Sequence, residues 1–363
     1  IENGVSIPTK LKWSTITDYG SIPSSWVASA SNAAGDKSIH DADDHIVDGV
    51  EFGNVFLVYK ENSVYGMQAI EGPFVYRFFP LKFPFGALAQ HCMKSFEGGM
   101  FVVAKGDIYV HSLSQFISVA NTKVRDTIFS SIDSDNFERT FVAHNPQNKE
   151  MWGCYPSSGN SLCNRAAVWN YDTTTWTFRD LPLISFIAEG QIPTLSGAIT
   201  FDASAGETFD NDTGAFDSRN YNPAKNELLI CGTNDTMFFQ AEVTNEFNGN
   251  TIISAIERNS LGITGQDRNG EILTDMSKTK LITGIYPLID AEDGLVLNFY
   301  IATQDRIDQA PAWQGPFIYT HGVTHFIDFI LTTRLFGFRI VDTGNVHWRM
   351  SGYGIDIQVV SED

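Results

Sequence analysis

The chain is poor in basic residues. Its 363 residues include 24 lysines and arginines against 43 aspartates and glutamates, which gives a formal net charge of −19 at pH 7. A uniformly acidic protein repels phosphate, which excludes general nucleic-acid binding through counterion release. The same repulsion suits a passage through which DNA slides without adhering, and it equally suits ordinary acidic solubility.

Cysteines and long apolar runs are also scarce. Four cysteines without a CxxC pair exclude a zinc site of the usual spacing and a dense disulfide framework. No run of about 18 apolar residues occurs, so no helix is expected to span a membrane. The chain begins at Ile1, without methionine or a signal peptide. We therefore expect an N-terminus that is processed or incomplete.

Sequence motifs for catalysis and for cofactor binding are missing. The patterns GxSxG, Walker A, GxGxxG and HExxH do not occur. We therefore predict that the protein is not an enzyme, and we assign it no catalytic residue, no cofactor and no metal.

Strand-forming residues are abundant instead. Aromatic residues make up 13% of the chain, 27 of them phenylalanine, and short apolar runs alternate with Gly, Asn, Asp and Ser clusters. This pattern predicts an all-β fold. One short helix is expected around Ser114–Ser131, because Val124, Ile128 and Ile132 would share one of its faces.

Three segments follow one hairpin plan, with an apolar run, a tight polar turn and a second short strand: Val55–Met67, Met100–Ser112 and Glu227–Phe239. Glu150–Tyr171 follows the same plan with a longer turn. Spacing of roughly 40–50 residues per four-stranded unit is typical of β-propeller blades. We predict a β-propeller over residues 1–250, with incomplete or irregular blades and an inserted acidic loop near 201–220. A C-terminal β-sandwich or barrel-like module is predicted over 251–363.

Two cysteines flank the turn of the Glu150–Tyr171 segment. The spacing between Cys154 and Cys163 is too wide for a zinc knuckle. Across the base of a hairpin the two thiols could form a cross-strand disulfide, whereas in a reducing cytosol they would stay free and buried. The turn that follows resembles the Asp box of sialidases but lacks its glycine. There we expect Asp172 to accept backbone N–H bonds, with Trp169 and Trp176 packed on adjacent strands.

Acidic residues cluster twice, without the ligand spacing of an EF-hand. We interpret both clusters as an acidic loop surface or a wall facing a channel, with a loose Ca²⁺ or Mg²⁺ site as the alternative. The residues are Asp41, Asp43, Asp44 and Asp48 in the first cluster, and Asp210, Asp212 and Asp217 in the second.

The aromatic, proline-containing stretch Gly72–Gly86 has two interpretations. Its phenylalanines either complete a core as a connector between blades, or form a ridge that binds carbohydrate or protein.

Several stretches, in order along the chain, resemble the tail nozzle or packaged-DNA stabilisation proteins of short-tailed bacteriophages. They include KLKWSTITDYGSIPSSW (Lys10–Trp26), FGNVFLVYKENSVYGMQAIEGPF (Phe52–Phe74), GGMFVVAKGDIYV (Gly98–Val110) and VRDTIFSSID (Val124–Asp133). EMWGCYP, CNRAAVWNYDTTTWTFRDLP and WRMSGYGIDIQ (Trp348–Gln358) complete the set.

The resemblance implies a β-propeller with an appended β module, assembled as a homohexameric ring at the distal end of the virion tail. It implies partners as well, namely an adaptor ring beneath the portal, tail fibres or spikes, and double-stranded DNA that passes through without specific binding. Such a protein is made in the host cytoplasm and takes part in genome retention and ejection. The alternative is a propeller-type protein that binds or degrades glycans, and a glycan-degrading enzyme would need two paired carboxylates in a cleft.

Overall fold

The structure is a computed structural model. It describes residues 7–29, 31–40, 44–70, 75–191, 226–232, 238–244, 246–247, 250–266, 271–342, 344 and 346–361. These residues are mostly strand, which confirms the predicted all-β class. The chain divides into two compact units, Ile1–Ala241 and Glu242–Asp363.

The first unit is a series of antiparallel sheets. Its strands are β1 (Lys10–Trp13), β2 (Gly35–Ser38), β3 (Ile46–Phe52), β4 (Val55–Lys60), β5 (Val64–Ala69), β6 (Tyr76–Leu81), β7 (Met93–Phe96), β8 (Gly99–Val103), β9 (Ile108–His111), β10 (Phe116–Ser118), β11 (Phe141–Asn145), β12 (Glu150–Tyr155), β13 (Cys163–Asn170), β14 (Thr175–Gly190), β15 (Glu227–Gly232) and β16 (Phe238–Gln240). Strands β1 and β2 pair with each other. Sheet I contains β3 to β6, sheet II β7 to β10 and sheet III β11 to β16, each with its strands in chain order.

All four predicted hairpins are confirmed. Strand β4 pairs with β5, β8 with β9, β12 with β13, and β15 with β16, each antiparallel. Because each strand pairs with the next one along the chain, the local turn signals were sufficient to predict these contacts.

Strand β8 shows how the sheets stack. All of its residues are buried. Met100 and Val102 belong to a core shared with sheet I, whereas Phe101 and Val103 belong to a core shared with sheet III. Sheet II is therefore covered on both faces, and the first strands β3, β7 and β11 lie beside one another. Propeller blades stack in this way. Closure of the sheets into a propeller stays a prediction.

The fourth hairpin does not begin a sheet of its own. Strand β15 pairs with the second half of β14, after a register shift between Ile184 and Phe186. Sheet III consequently bends and encloses a core of its own, which contains Phe141, Trp152 and Ile230. The loop expected near 201–220 lies outside the described residues.

The aromatic connector after β6 is part of the core. Phe83 and Phe85 are buried between sheets I and II. Their rings stack 5.4 Å apart, and Phe85 also stacks on Tyr109 at 4.0 Å. These contacts confirm the connector interpretation for the part of the stretch that follows Leu81.

The predicted helix is present as α1, Thr122–Ser131. Asn121 caps its N-terminus, since its side chain accepts a hydrogen bond from the Val124 backbone N–H. Ile128 is buried, and Val124 and Ile132 pack against the same core between sheets II and III. A short 3₁₀ turn, Phe137–Arg139, then leads into β11.

The second unit contains two sheets that share one core. Its strands are β17 (Glu246–Phe247), β18 (Asn250–Thr251), β19 (Ser254–Leu261), β20 (Ile263–Gln266), β21 (Ile272–Thr274), β22 (Thr279–Ala291), β23 (Val296–Gln304), β24 (Ala312–Thr320), β25 (Ile327–Thr333), β26 (Leu335–Asp342) and β27 (Trp348–Ser361). One sheet has the order β19-β26-β23-β24 and the other β25-β22-β27, whereas β17–β18 and β20–β21 are separate pairs.

Strand β25 shows the alternation expected of a sandwich. Ile327, Phe329 and Leu331 point into the core, and Asp328 and Ile330 between them are exposed. The facing sheet contributes apolar residues of β23 and β26 to the same core. The second unit is therefore a β-sandwich.

Gly153 borders a small apolar gap between α1 and sheets II and III. A Cβ at this position would meet only the Ala167 carbonyl oxygen at 3.6 Å and the Val103 side chain at 3.7 Å. We expect Gly153→Ala to raise the free energy of unfolding by about 1 kcal/mol, because it fills the gap and restricts the unfolded chain. Urea denaturation measures this change. Gly86→Ala is the opposite control, since its Cβ would lie 1.9 Å from the Lys60 carbonyl oxygen.

Candidate functional site

The structure locates two of the seven acidic residues expected on a channel surface, and both belong to the first cluster. Asp44 and Asp48 are described, whereas Asp41, Asp43, Asp210, Asp212 and Asp217 lie outside the described residues. Any acidic wall formed by the second cluster therefore stays a prediction.

Asp44 is not on the surface, and the expectation of an exposed acidic residue there is wrong. Its residue exposure is 3%. One carboxylate oxygen accepts the Asn62 backbone N–H at 3.0 Å, and the other accepts the Ser63 hydroxyl at 2.7 Å. The second oxygen also lies 3.9 Å from the buried Lys60 ammonium. Asp44 closes the turn between β4 and β5 and neutralises an internal cation.

Asp48 is partly buried and connects two sheets. Its carboxylate accepts the backbone N–H of Gly49 at 2.8 Å and that of His91 at 2.9 Å. The His91 ring nitrogen lies 3.7 Å away. Since His91 precedes β7, this residue joins sheet I to the start of sheet II.

Cys154 and Cys163 are buried free thiols, one of the two predicted alternatives. The cross-strand disulfide is not formed. Cys154 is paired with Ala166, three positions beyond Cys163, which corresponds to about 10 Å along a strand. The Cys163 thiol donates to the Arg139 carbonyl at 3.1 Å. Burial raises the pKa of Cys163 to about 12 and raises that of Cys154, so neither thiol is a nucleophile at neutral pH.

The turn after β13 is held by a different residue from the one expected. The Asn170 side chain accepts the backbone N–H groups of Asp172 and Thr173, at 3.1 and 2.9 Å. Asp172 is exposed instead and pairs with Lys149. The expected packing of Trp169 on Trp176 is confirmed, because the two residues lie opposite each other in the ladder.

The most site-like polar cluster among the described residues lies between sheets II and III. The bend of sheet III brings Glu189 of β14 beside His144 of β11. The His144 Nδ1 lies 3.7 Å from Glu189 and its Nε2 lies 3.3 Å from the Tyr171 hydroxyl. Lys94 of β7 approaches the same glutamate at 3.4 Å. This arrangement contains the residue types of a general acid–base site.

Burial dominates the electrostatics of this cluster. Burial and the carboxylates of Glu97, Asp172 and Glu189 raise the pKa of Tyr171, so its phenol stays protonated. Burial lowers the pKa of His144 despite the neighbouring glutamate. The distance between His144 and Glu189 also exceeds that of a hydrogen bond. The cluster is suited to holding β7, β11 and β14 together.

A second cluster of the same composition joins sheets I and II. His45 and Lys105 approach the two carboxylate oxygens of Glu61 at 3.3 and 3.0 Å. The Lys105 ammonium is the main cause of the lowered pKa of Glu61. The repeated combination of histidine, glutamate and lysine indicates that these polar clusters fasten neighbouring sheets.

His111 is a fully buried titratable group in the first unit. Its Nδ1–H donates to the Ser112 carbonyl at 2.7 Å, so the neutral ring accepts the Tyr59 hydroxyl at Nε2, at 2.5 Å. Phe83 and Phe85 pack around the ring. Burial lowers the pKa of His111 and raises that of Tyr59.

This burial predicts acid sensitivity. As the pH falls below about 6.5, the unfolded chain takes up a proton at this histidine that the folded chain does not. The free energy of unfolding should therefore fall with falling pH, by at most about 1.4 kcal/mol per pH unit. Denaturation at pH 7.5, 6.5 and 5.5 measures the slope. His111→Gln should reduce this slope, and an unchanged slope would contradict the assignment of the acid sensitivity to His111.

The 14–34 loop between β1 and β2 escaped prediction from the sequence. Trp13 anchors its base, because the indole donates to the Ala33 carbonyl and the ring packs on Tyr76. Beyond this base the loop exposes five large apolar residues, Ile16, Tyr19, Ile22, Trp26 and Val27. The absence of alternation and of helical spacing left no pattern by which to recognise it.

Two further kinds of site are absent from the described part of the chain. No group of three or more His, Cys, Asp or Glu residues there is arranged to hold a metal ion. No helix there is long and apolar enough to cross a membrane.

Comparison with known proteins places the chain in no family. No protein-family model matches the chain, and no curated protein matches it.

Proposed function

We propose that the protein is a structural component of a short-tailed phage virion, a tail nozzle ring that lines or closes the DNA exit channel. The observation that carries the proposal is the collinear set of resembling segments from Lys10 to Gln358. Several of these segments coincide with structural units, namely the β4–β5 hairpin, the β8–β9 hairpin, α1 and β12 to β14.

The architecture supports this proposal. Stacked antiparallel sheets with adjacent first strands suit the propeller expected of such a nozzle, and the β-sandwich suits its appended module. The described titratable cluster most like an active site has a protonated phenol and no short contact between base and carboxylate. We therefore propose a role in genome retention and ejection rather than catalysis.

The charge supports the passage of DNA. Because each chain has a net charge of −19, a homohexamer would have a large negative total charge. DNA then meets repulsion rather than adhesion while it moves through the ring. The proposed neighbours are the adaptor ring beneath the portal and the tail fibres or spikes, at the distal end of the tail.

Electron microscopy of the purified chain, together with light scattering, tests the proposal. We expect six-fold rings with an axial opening, and no retention of duplex DNA in a gel-shift assay at low salt. A monomer that releases reducing sugar from host glycans would overturn the proposal in favour of the glycan-degrading alternative.

A further inference from the structure

The 14–34 loop exposes several large apolar side chains almost completely to solvent. Ile16, Tyr19 and Ile22 have relative exposures of 88%, 107% and 93%. Two backbone hydrogen bonds fold the first half of this loop, since the Thr15 N–H donates to the Ser25 carbonyl at 2.9 Å and the Ser21 N–H donates to the Asp18 carbonyl at 3.0 Å. An exposed patch of large apolar residues is typical of an interaction surface.

The charge of the loop indicates the kind of partner. Between Trp13 and Lys37 the chain has two charged residues, Asp18 and Asp36, and no basic residue. An anionic lipid surface would have no cation to bind there. Copies of a chain with net charge −19 repel one another, so they associate most readily through surfaces with little charge. The loop is such a surface.

A second apolar surface includes strand β10 and the residues that precede it, next to the Asp107–Arg125 ion pair, whose aspartate accepts the Ser118 hydroxyl at 3.0 Å. The segment 112–120 has no charged residue. Leu113, Phe116 and Ile117 are exposed, by 38%, 39% and 62%. Strand β10 forms one edge of sheet II and pairs only with β9 among the described residues. Proteins usually protect such an edge with charged residues or cover it.

We propose that the 14–34 loop of one copy docks on the β10 edge of a second copy of this chain. The two surfaces differ, so the contact is heterologous, and repetition around an axis closes a ring. Apolar residues on both sides exclude water, and the β10 edge, which has no second strand partner among the described residues, offers backbone groups to the loop. This inference rests on the proposed ring, for which it supplies the contact between neighbours.

The first test uses the whole chain and a double variant of the loop, Tyr19→Ser/Ile22→Ser. Both positions are exposed, so the variant should fold, which circular dichroism checks. We expect the double variant to raise the dissociation constant of the ring at least about 100-fold in mass photometry. Ile330→Ser is the matched control, because this residue of the second unit is 76% exposed and should leave the ring intact.

The second test locates the acceptor. The Ile22→Cys/Ile117→Cys variant should form a disulfide between copies under mild oxidation and give a ladder of cross-linked rings. The Ile22→Cys/Ile330→Cys variant and the parent chain are the controls. Equal cross-linking of both double variants would overturn the assignment of β10.

The outcomes distinguish a failure of the docking contact from a failure of the proposed ring. If the parent forms rings and Tyr19→Ser/Ile22→Ser forms them equally well, the docking is wrong and the nozzle proposal stands. If the parent is a monomer, the nozzle proposal fails and the docking with it. If the loop is needed for sedimentation with phosphatidylcholine vesicles but not for rings, the loop binds lipid and the docking is wrong.

Discussion

Replacing Lys280 by methionine should destabilise the second unit by about 3 kcal/mol. Lys280 is fully buried in β22, and its ammonium donates to the carbonyls of Asp275 at 2.6 Å, Lys278 at 3.0 Å and Arg334 at 2.5 Å. All three protons of the ammonium are thereby used. Methionine preserves the packing but leaves three acceptors without this donor, each at a cost of about 1–3 kcal/mol that the relief of a buried charge partly offsets.

Hydrogen exchange locates this effect as well as measuring it. Lys280 joins the segment before β22 to the turn between β25 and β26, so amides of both regions should lose protection. Lys82→Met makes the same chemical change at an exposed position of the first unit, and we expect it to alter stability by less than about 0.5 kcal/mol. If Lys280→Met and Lys82→Met change stability equally, the buried Lys280 ammonium contributes no more to stability than the exposed Lys82 ammonium.

Local elements could be predicted because their signals are local. The hairpin β8–β9 follows from an apolar run on each side of Lys105-Gly106-Asp107, and α1 follows from the spacing of Val124, Ile128 and Ile132. In each case the residues that decide the structure lie within about ten positions of one another. Neither prediction required knowledge of the partner sheet.

The pairing of β14 with β15 could not be predicted. Strand β14 is 16 residues long, and it pairs with β13 in its first half and with β15 in its second. Residue Leu228 comes long after β14 in the chain, so no turn signal connects them. The bend that creates the second pairing lies at an irregularity between Ile184 and Phe186. Hairpin spacing alone therefore carries no information on this second pairing.

The candidate site was harder to predict, because its residues meet across sheets. His144 and Glu189 lie far apart in the chain and become neighbours only through the bend of sheet III. Of the carboxylates expected to face a channel, Asp44 and Asp48 are instead engaged in structural contacts, with the Asn62 backbone N–H at 3.0 Å and the His91 backbone N–H at 2.9 Å. A cluster of aspartates in a sequence does not reveal which members acquire internal partners.

Asp44 is the clearest instance, and its loss should be costly. We expect Asp44→Asn to lower the free energy of unfolding of the first unit by about 3–5 kcal/mol, because it removes a carboxylate from beside the buried Lys60 ammonium. The side chains of Asp44 and Lys60 are 2% and 0% exposed. The substitution also disturbs the acceptors of the Asn62 N–H and the Ser63 hydroxyl.

A double-mutant cycle distinguishes the charge from the turn. Lys60→Met in the Asp44→Asn background removes the buried cation, so it should recover a large part of the stability lost with the carboxylate, whereas loss of the turn acceptors alone would allow no recovery. Asp172→Asn is the matched control, because Asp172 has a side-chain exposure of 64% and pairs with Lys149 at 3.3 Å. That exposed pair should contribute at most about 1 kcal/mol. If the two asparagine variants prove equally stable, the buried pair is not what stabilises the β4–β5 turn.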